Sequence, residues 1–532
     1  MAWILITIAV LSLAYWLLIR PYKYWSKRGV VQGKPLPIFG DNWGPALRLQ
    51  SNTAMVEMLY NIAPNERYCG IYQFITPTLM LRDPDLIKQI TIKDFDHFLD
   101  HRSLVPEESD PLFGKNLFSL TGQKWRDMRS TLSPAFTSSK MKYMFELITK
   151  NGEQFAQHFL KQNKDLIKIE MKDTFTRFTN DVIASTAFGV ECDSLGQPEN
   201  EFYMMGRVTT DLTGIWTNIK LMGYFLMPRL CKLLRFKLFA DEVGIFFNKL
   251  VKENIQSREK HGIVRPDMIN LLMEARKNGS LKYEESNSVP DAGFATVHES
   301  EIGKTPKQHK IQITDQDITS QALIFFFGGF DSVSSLMCFM SYELGANPDV
   351  QEKLRQEIDE TLKNCNGKLT YEALMNMKYM DMVTSETLRK WPNAPAIDRV
   401  CTKPYTIEPT SPKENPIHLA KNDILLLPIY GLHRDPKYFP DPERFDPERF
   451  SDENKNTIKP YSYIPFGSGP RNCIGSRFAL LEAKTLFFYI LANFEIVPTE
   501  KTKIPLVLSK QGFNMTAEGG FWFGFKRRTP SK

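Results

Sequence analysis

Paired cysteines are missing from this chain of 532 residues. Its seven Cys stand at 69, 192, 231, 338, 365, 401 and 473, with no CxxC and no regular spacing. That pattern excludes a disulfide framework and a zinc site, and it suits a body facing a reducing compartment. Charge of one sign is also scarce: 67 Lys and Arg against 61 Asp and Glu leave a net charge of +6. So small an excess excludes a nucleic-acid binder but suits an anionic membrane surface or an acidic redox partner. No internal repeat is visible. Long hydrophobic runs are absent except at the start of the chain and inside one later helix.

The first run, Ala2 to Ile19, has 18 uncharged and mainly apolar positions. As a helix it extends about 27 Å, close to the roughly 30 Å of bilayer hydrocarbon. Arg20, Lys23, Lys27 and Arg28 follow it directly, which predicts a cytoplasmic flank. A cleavable signal peptide carries its basic residues in front and a small-residue site behind, so an uncleaved transmembrane signal anchor over 1–20 is expected. A basic and proline-rich hinge over 21–40 follows, ending in the stiff turn Pro35-Leu36-Pro37-Ile38-Phe39-Gly40.

A β-rich patch is expected around Tyr68 to Leu81, then long helices from Trp125 onward and a β-like tail at Phe521 to Phe525. Residues 257–312 are polar and predict an exposed connection. Thr314 to about Lys390 reads as helix. Within it, Ile318 to Leu344 is apolar on nearly every face, as in a helix buried through the centre of a domain. Thr314 with Asp317 marks its start and Gly345 to Pro348 its end. Gly328-Gly329-Phe330-Asp331-Ser332 interrupts it with residues that helix propensity disfavours. Something must offset that cost.

The most informative segment is Phe466-Gly467-Ser468-Gly469-Pro470-Arg471-Asn472-Cys473-Ile474-Gly475, which opens onto a helical run from Ser476 to Asn493. Small residues bring backbone N–H groups toward the Cys473 sulfur and the positive end of a helix points at it, both favouring thiolate. Phe466 is a shield against water and Arg471 a fixed cation for an anionic group.

These ten residues resemble the haem-binding signature of the cytochrome P-450 family, with Phe466, Gly469, Arg471, Cys473 and Gly475 on its positions. Other landmarks of the family follow in order. Trp125 and Arg129 match its WxxxR element; Glu386 and Arg389 match its ExxR pair, with Arg449 in Pro447-Glu448-Arg449-Phe450 as the third partner. The resemblance covers residues 30–532. It looks most like the insect detoxification clan, near its ninth family.

The resemblance implies a mainly α fold with small β-sheets, a catalytic domain over 41–532, and haem b (iron protoporphyrin IX) held between a long distal helix and the proximal Cys-loop helix. Cys473 would be the metal ligand and Asp331 and Ser332 the catalytic proton relay. Trp125, Arg129, Arg399, Phe466, Arg471 and Gly475 would bind the cofactor, with His101 as a further candidate. Glu386, Arg389 and Arg449 would be structural. Phe118, Phe327, Ala394, Ile397 and Phe513 would line the substrate pocket. The family pattern most often has Ala at 328 and Thr at 332, so this chain departs at Gly328 and Ser332.

The implied reaction inserts one oxygen atom from O2 into a lipophilic small molecule, a xenobiotic such as an insecticide or plant toxin. Electrons come from NADPH through NADPH-cytochrome P-450 reductase, with cytochrome b5 as a second donor. Lys124, Lys140 and Lys142 are candidate docking charges or plain solvated surface. Residues 214–228 match the substrate-access roof of the family, or form an ordinary buried helix pair. The expected location is the endoplasmic reticulum membrane, with the catalytic domain on its cytoplasmic face. A haem-thiolate isomerase or dehydratase, and a non-catalytic haem protein that sequesters lipophiles, are the competing readings; both predict loss of the Asp331–Ser332 pair.

Overall fold

The computed structural model describes residues 2–103, 105–211, 213–265, 267–278, 292–297, 313–412, 414–512 and 514–528. Helices dominate. The strands are β1 (Tyr68–Gln73), β2 (Thr76–Leu81), β3 (Leu166–Glu170), β4 (Ile397–Val400), β5 (Tyr405–Ile407), β6 (Ile417–Leu419), β7 (Ile424–Leu427), β8 (Phe494–Pro498) and β9 (Trp522–Arg527). They form three small sheets, in the orders β1-β2-β7-β4, β3-β9-β8 and β5-β6. In the first, β2 runs parallel to β7 while β1 and β4 are antiparallel to their neighbours, and Arg399 faces Leu425 in register. This mainly α arrangement with small sheets is the one expected.

One helix organises the core. It runs from Asp315 to Ala346 through Phe326, Leu336, Met337 and Phe339, none of which is exposed. Thr314 and Asp317 form the expected capping box: Thr314 Oγ1 accepts from the Asp317 N–H at 3.2 Å and Asp317 Oδ2 accepts from the Thr314 N–H at 2.9 Å. Its C-terminal half packs on the helices Met171–Ile183, Lys378–Lys390 and Ser476–Asn493. A helix buried on all sides must be apolar on all sides, which explains its composition.

The helix Met268–Asn278 corrects the reading of 257–312 as connection. Ile269 and Leu272 are fully buried there, and the helix Asp241–His261 covers the first five residues. Polar composition averaged over the segment hid a short apolar stripe. Of the rest, 279–291 and 298–312 lie outside the described residues.

The N-terminal helix spans Ala2–Leu18, with Trp3, Ile4, Leu5 and Trp16 exposed. The basic segment after it is fastened to the body, since Trp25 is buried with its indole N–H donating to Ile71 O at 3.2 Å. At the end of the turn Gly40 has φ +59°, and a Cβ there would collide with the carbonyl oxygens of Tyr72 and Phe74, so only glycine fits. Helices Ile215–Leu226 and Pro228–Leu233 leave Ile215, Trp216 and Leu233 more exposed than buried, which is not an ordinary buried pair.

Candidate active site

The Cys loop is closed by its own backbone. The Cys473 N–H donates to Phe466 O at 2.9 Å and the Asn472 N–H to Gly469 O at 3.0 Å. Gly467 (φ +79°) and Gly469 (φ +73°) make the turn, and a Cβ on Gly469 would collide with Thr91 O. Thr91 Oγ1 also donates to Ser468 Oγ at 3.1 Å, and Arg399 donates to Ser468 O at 3.1 Å. The loop delivers Cys473 to the start of helix Ser476–Asn493, whose N-cap is Gly475.

Cys473 is enclosed by protein, yet its side chain has open surface. It therefore lines an internal void. Burial pushes the Cys473 thiol above its ordinary range; the Gly475 N–H and the Arg129 charge pull the other way without prevailing. A coordinated metal ion would reverse that balance.

The interruption in the core helix has a structural expression. Residues Gly328–Ser332 form a single turn of π-helix between the α-helical segments Asp315–Phe327 and Val333–Ala346. Such bulges widen a helix locally and recur at functional sites. A Cβ on Gly328 would meet nothing within 4 Å, although Phe326, Gly329 and Phe330 beside it are buried. The Ser332 hydroxyl donates back to Gly328 O, and Asn393 Nδ2 donates to Ser332 O at 3.0 Å. The Asp331 carboxylate is paired with Lys172 Nζ at 2.9 Å and accepts from Asn514 Nδ2 at 2.6 Å.

Buried cations gather near the Cys loop. Arg399 and Arg471 are nearly or wholly buried, and burial pulls Arg399 down to about 10 and Arg471 to about 9. Arg399, Arg129, Asp100 and Asp398 all act on Arg471 electrostatically, so these groups are neighbours. Arg471 binds the carbonyl oxygens of Leu99, Leu117 and Leu120 and lies 4.3 Å over the Trp125 ring. Arg129 donates to Asn472 O at 3.1 Å and Oδ1 at 2.8 Å, behind Cys473. His101 pairs with Asp398 Oδ1 at 3.0 Å and stacks on Phe118. Arg399 Nε is buried without a partner among the described residues. Among the described residues, Arg129, Arg399 and Arg471 thus cluster with Asp100 and Asp398.

The Glu386–Arg389–Arg449 group comes together as the sequence suggests. Glu386 and Arg389 are fully buried, with bonds of 2.7 and 2.8 Å, and Arg449 Nε stands 3.5 Å from Glu386. Breaking such a buried pair costs about 3–5 kcal/mol. Sequence reasoning missed His433. Its Nε2 accepts from the Ile464 N–H at 2.9 Å, which leaves Nδ1–H to donate to Arg389 O at 3.2 Å. His433 so ties the Glu386–Arg389 helix to the approach of the Cys loop. Lys172, Asn393 and Asn514 were also missed; each meets its partner across more than 60 residues of sequence, and no local pattern marks it.

Of the expected pocket residues, Ile397 reaches the Cys loop, its Cδ1 lying 3.2 Å from where a Cβ on Gly467 would be. Phe118 is half exposed, Phe327 and Ala394 are partly buried, and Phe513 lies outside the described residues. His97 and His101 go to different partners, Lys403 O and Asp398.

A thiol on one wall of a void, an open helical bulge and an excess of buried guanidinium fit a flat, dianionic iron porphyrin. Comparison with known proteins agrees. The family model described as Cytochrome P450 matches residues 33–522. Cytochrome P450 9e2 of Blattella germanica is 48% identical over 524 residues, covering 96% of this chain and 94% of that protein. Probable cytochrome P450 9f2 of Drosophila melanogaster is 45% identical over 516 residues, covering 95% of each. Cytochrome P450 6k1 of Blattella germanica is 38% identical over 526 residues, covering 99% of this chain and 97% of that protein. Matched by the family model and by these relatives along nearly its whole length, this chain belongs to the cytochrome P-450 family and is a haem b monooxygenase of the insect ninth-family type.

Proposed function

We propose that this monooxygenase inserts one oxygen atom from O2 into lipophilic xenobiotics, insecticides and plant toxins among them, at the endoplasmic reticulum membrane. The observations that carry the reading are the open surface of Cys473 in its glycine loop and the open π-helical turn Gly328–Ser332, which carries Asp331 and Ser332. Bound haem supplies the oxidising chemistry, activating dioxygen with electrons passed from NADPH by a flavin reductase.

The residues of the chain have separate tasks. Cys473 is the iron ligand, and Phe466 and Gly475 enclose its sulfur. Arg399, Arg471 and Arg129, with Trp125 beneath Arg471, hold the propionates, which provide the negative charge the cluster lacks. Ser332 presents a hydroxyl at the bulge and Asp331 a carboxyl, the pair through which a proton from solvent reaches the distal side. Glu386, Arg389 and Arg449 fix the segment leading to the Cys loop. Phe118, Phe327, Ala394, Ile397 and Phe513 surround the substrate. An apolar pocket of this kind selects by shape and area, with only about 1–3 kcal/mol riding on a methylene-sized difference.

Residues 1–20 are read as a transmembrane anchor, 21–40 as a hinge and 41–532 as the catalytic domain. The exposed Trp3, Ile4, Leu5, Ile6, Ile8 and Trp16 of the N-terminal helix and the basic flank beyond it support a cytoplasmic body. Exposed Ile215, Trp216, Leu230 and Leu233 suit a roof that dips into the bilayer and admits lipophiles from it. Lys124, Lys140 and Lys142 are read as docking charges for the reductase, with cytochrome b5 as a second donor. Lys124 and Lys142 already have exposed partners in Glu107 and Glu372, ion pairs weak enough for a redox partner to exchange.

The isomerase and sequestration readings are disfavoured by the acid, hydroxyl and open groove. The test is incorporation of labelled oxygen from O2 by the purified chain with reductase and NADPH, across a panel of lipophiles that first shift its spin state. Substrate-dependent incorporation is expected; spin-state shifts without any incorporation would instead support sequestration.

A further inference from the structure

In this structure the two halves of the proton relay do not touch each other. Both oxygens of Asp331 are engaged: Oδ1 with Lys172 Nζ at 2.9 Å and Oδ2 with Asn514 Nδ2 at 2.6 Å. The Ser332 hydroxyl is spent on Gly328 O. Lys172 is held firmly, because it also donates to Asp331 O, Ser334 Oγ and Ser335 Oγ, at 3.0, 2.7 and 2.9 Å. Asn514 is the weaker grip, a single bond from a neutral amide.

Its setting makes it movable. Asn514 is exposed and sits at the tip of a loop that closes where Leu508 bridges Ala517 and the Ser509 N–H donates to Thr516 O at 2.8 Å. The base of the loop is tied to the core helix, where the Leu506 N–H donates to the Tyr342 hydroxyl at 2.9 Å. Its tip meets the body through single bonds from amide side chains: Asn52 donates to Gly512 O at 3.3 Å, and Asn514 grips Asp331. Ile504 and Val507 are exposed beside it, so an apolar molecule has surface to press on. On the other flank Asn393 Nδ2 holds Ser332 O, fixing the backbone of the hydroxyl, so that loss of the Asn514 bond frees Asp331 Oδ2 to change partner while Lys172 keeps Oδ1.

We infer that Asn514 is a positioning residue, a latch that keeps the Asp331 carboxylate away from Ser332 until a lipophile displaces the 508–517 loop. Proton delivery is then tied to occupancy of the pocket. The empty enzyme is restrained from consuming NADPH, since its acid is tied down and its hydroxyl has no proton source. The inference rests on the reading of Asp331 as the relay acid, and the test separates the two.

The infrared difference between the ligand-free chain and Asp331→Asn isolates the Asp331 carboxylate band. The same difference in an Asn514→Ala background is expected to show that band shifted, and Asn514→Gln is expected to keep the wild-type position. Addition of 7-ethoxycoumarin is expected to move the wild-type band in the same direction as Asn514→Ala. With reductase and no lipophile, Asn514→Ala is expected to oxidise NADPH about tenfold faster, the scale of one lost hydrogen bond to a charged group. An Asp331 band unmoved in Asn514→Ala, in protein with an intact reduced carbon monoxide spectrum, overturns the latch. If Asp331→Asn leaves the solvent isotope effect on product formation unchanged, the relay reading fails, whatever the band does.

Discussion

Ser332 makes a simple commitment at the scale of one side chain. Its hydroxyl lies one turn from Gly328 on the bulge, and no second hydroxyl lies within Gly328–Ser332. Ser332→Ala is expected to raise the share of NADPH electrons released as peroxide several-fold, while leaving the lipophile-induced spin-state shift in place. Unchanged coupling would remove the hydroxyl from the relay. Ser332→Thr restores the methyl that stiffens the rotamer and is expected to lower the leak. Cys473, Asp331 and Ser332 stand out in the sequence because each lies in a short contiguous pattern. Lys172 and Asn514, which decide where the Asp331 carboxylate points, lie 159 and 183 residues away from it in the chain. Nothing local marks them.

Two glycines of similar appearance differ at the level of elements. Gly328 faces empty space, so Gly328→Ala is expected to be tolerated, with stability raised by up to about 1 kcal/mol through helix propensity. Gly469→Ala forces a Cβ onto Thr91 O at a left-handed φ and is expected to destroy haem binding. Unfolding curves and haem content check both. The His433 clamp carries a pH dependence. Burial, with the Arg389 charge adding to it, pulls His433 from 6.5 down to about 3, so it stays neutral in the fold while the unfolded chain takes up a proton below pH 6.5. Stability from this group is therefore present above pH 6.5 and lost as pH falls toward 3, by up to about 1.4 kcal/mol per pH unit. Urea unfolding of His433→Asn is expected to show a lower stability at neutral pH and a shallower acid slope. An identical slope would refute the clamp. The central helix was readable because apolarity on every face over such a length fits only a helix buried in a core or crossing a membrane. The helix Met268–Asn278 was not, because its apolar stripe is short and its neighbours are polar.

At the scale of the whole molecule, apolar side chains meet solvent at Trp3, Ile4, Leu5 and Trp16 of the first helix and at Ile215, Trp216, Leu233 and Leu234. Removal of residues 1–20 is expected to weaken microsome binding without abolishing it, and Trp216→Asp with Leu233→Asp in the truncated chain to abolish what remains. Full release by truncation alone would deny the roof its membrane contact. The proposed oxygen chemistry depends on the sulfur of Cys473. The most direct measurement is the carbon monoxide spectrum of the reduced, haem-loaded full chain. The wild-type chain is predicted to give the strongly red-shifted band of a thiolate-bound iron, and Cys473→Ser to lose it. A red-shifted band that survives Cys473→Ser, or its absence from freshly prepared wild-type protein, would contradict the assignment of Cys473 as the ligand.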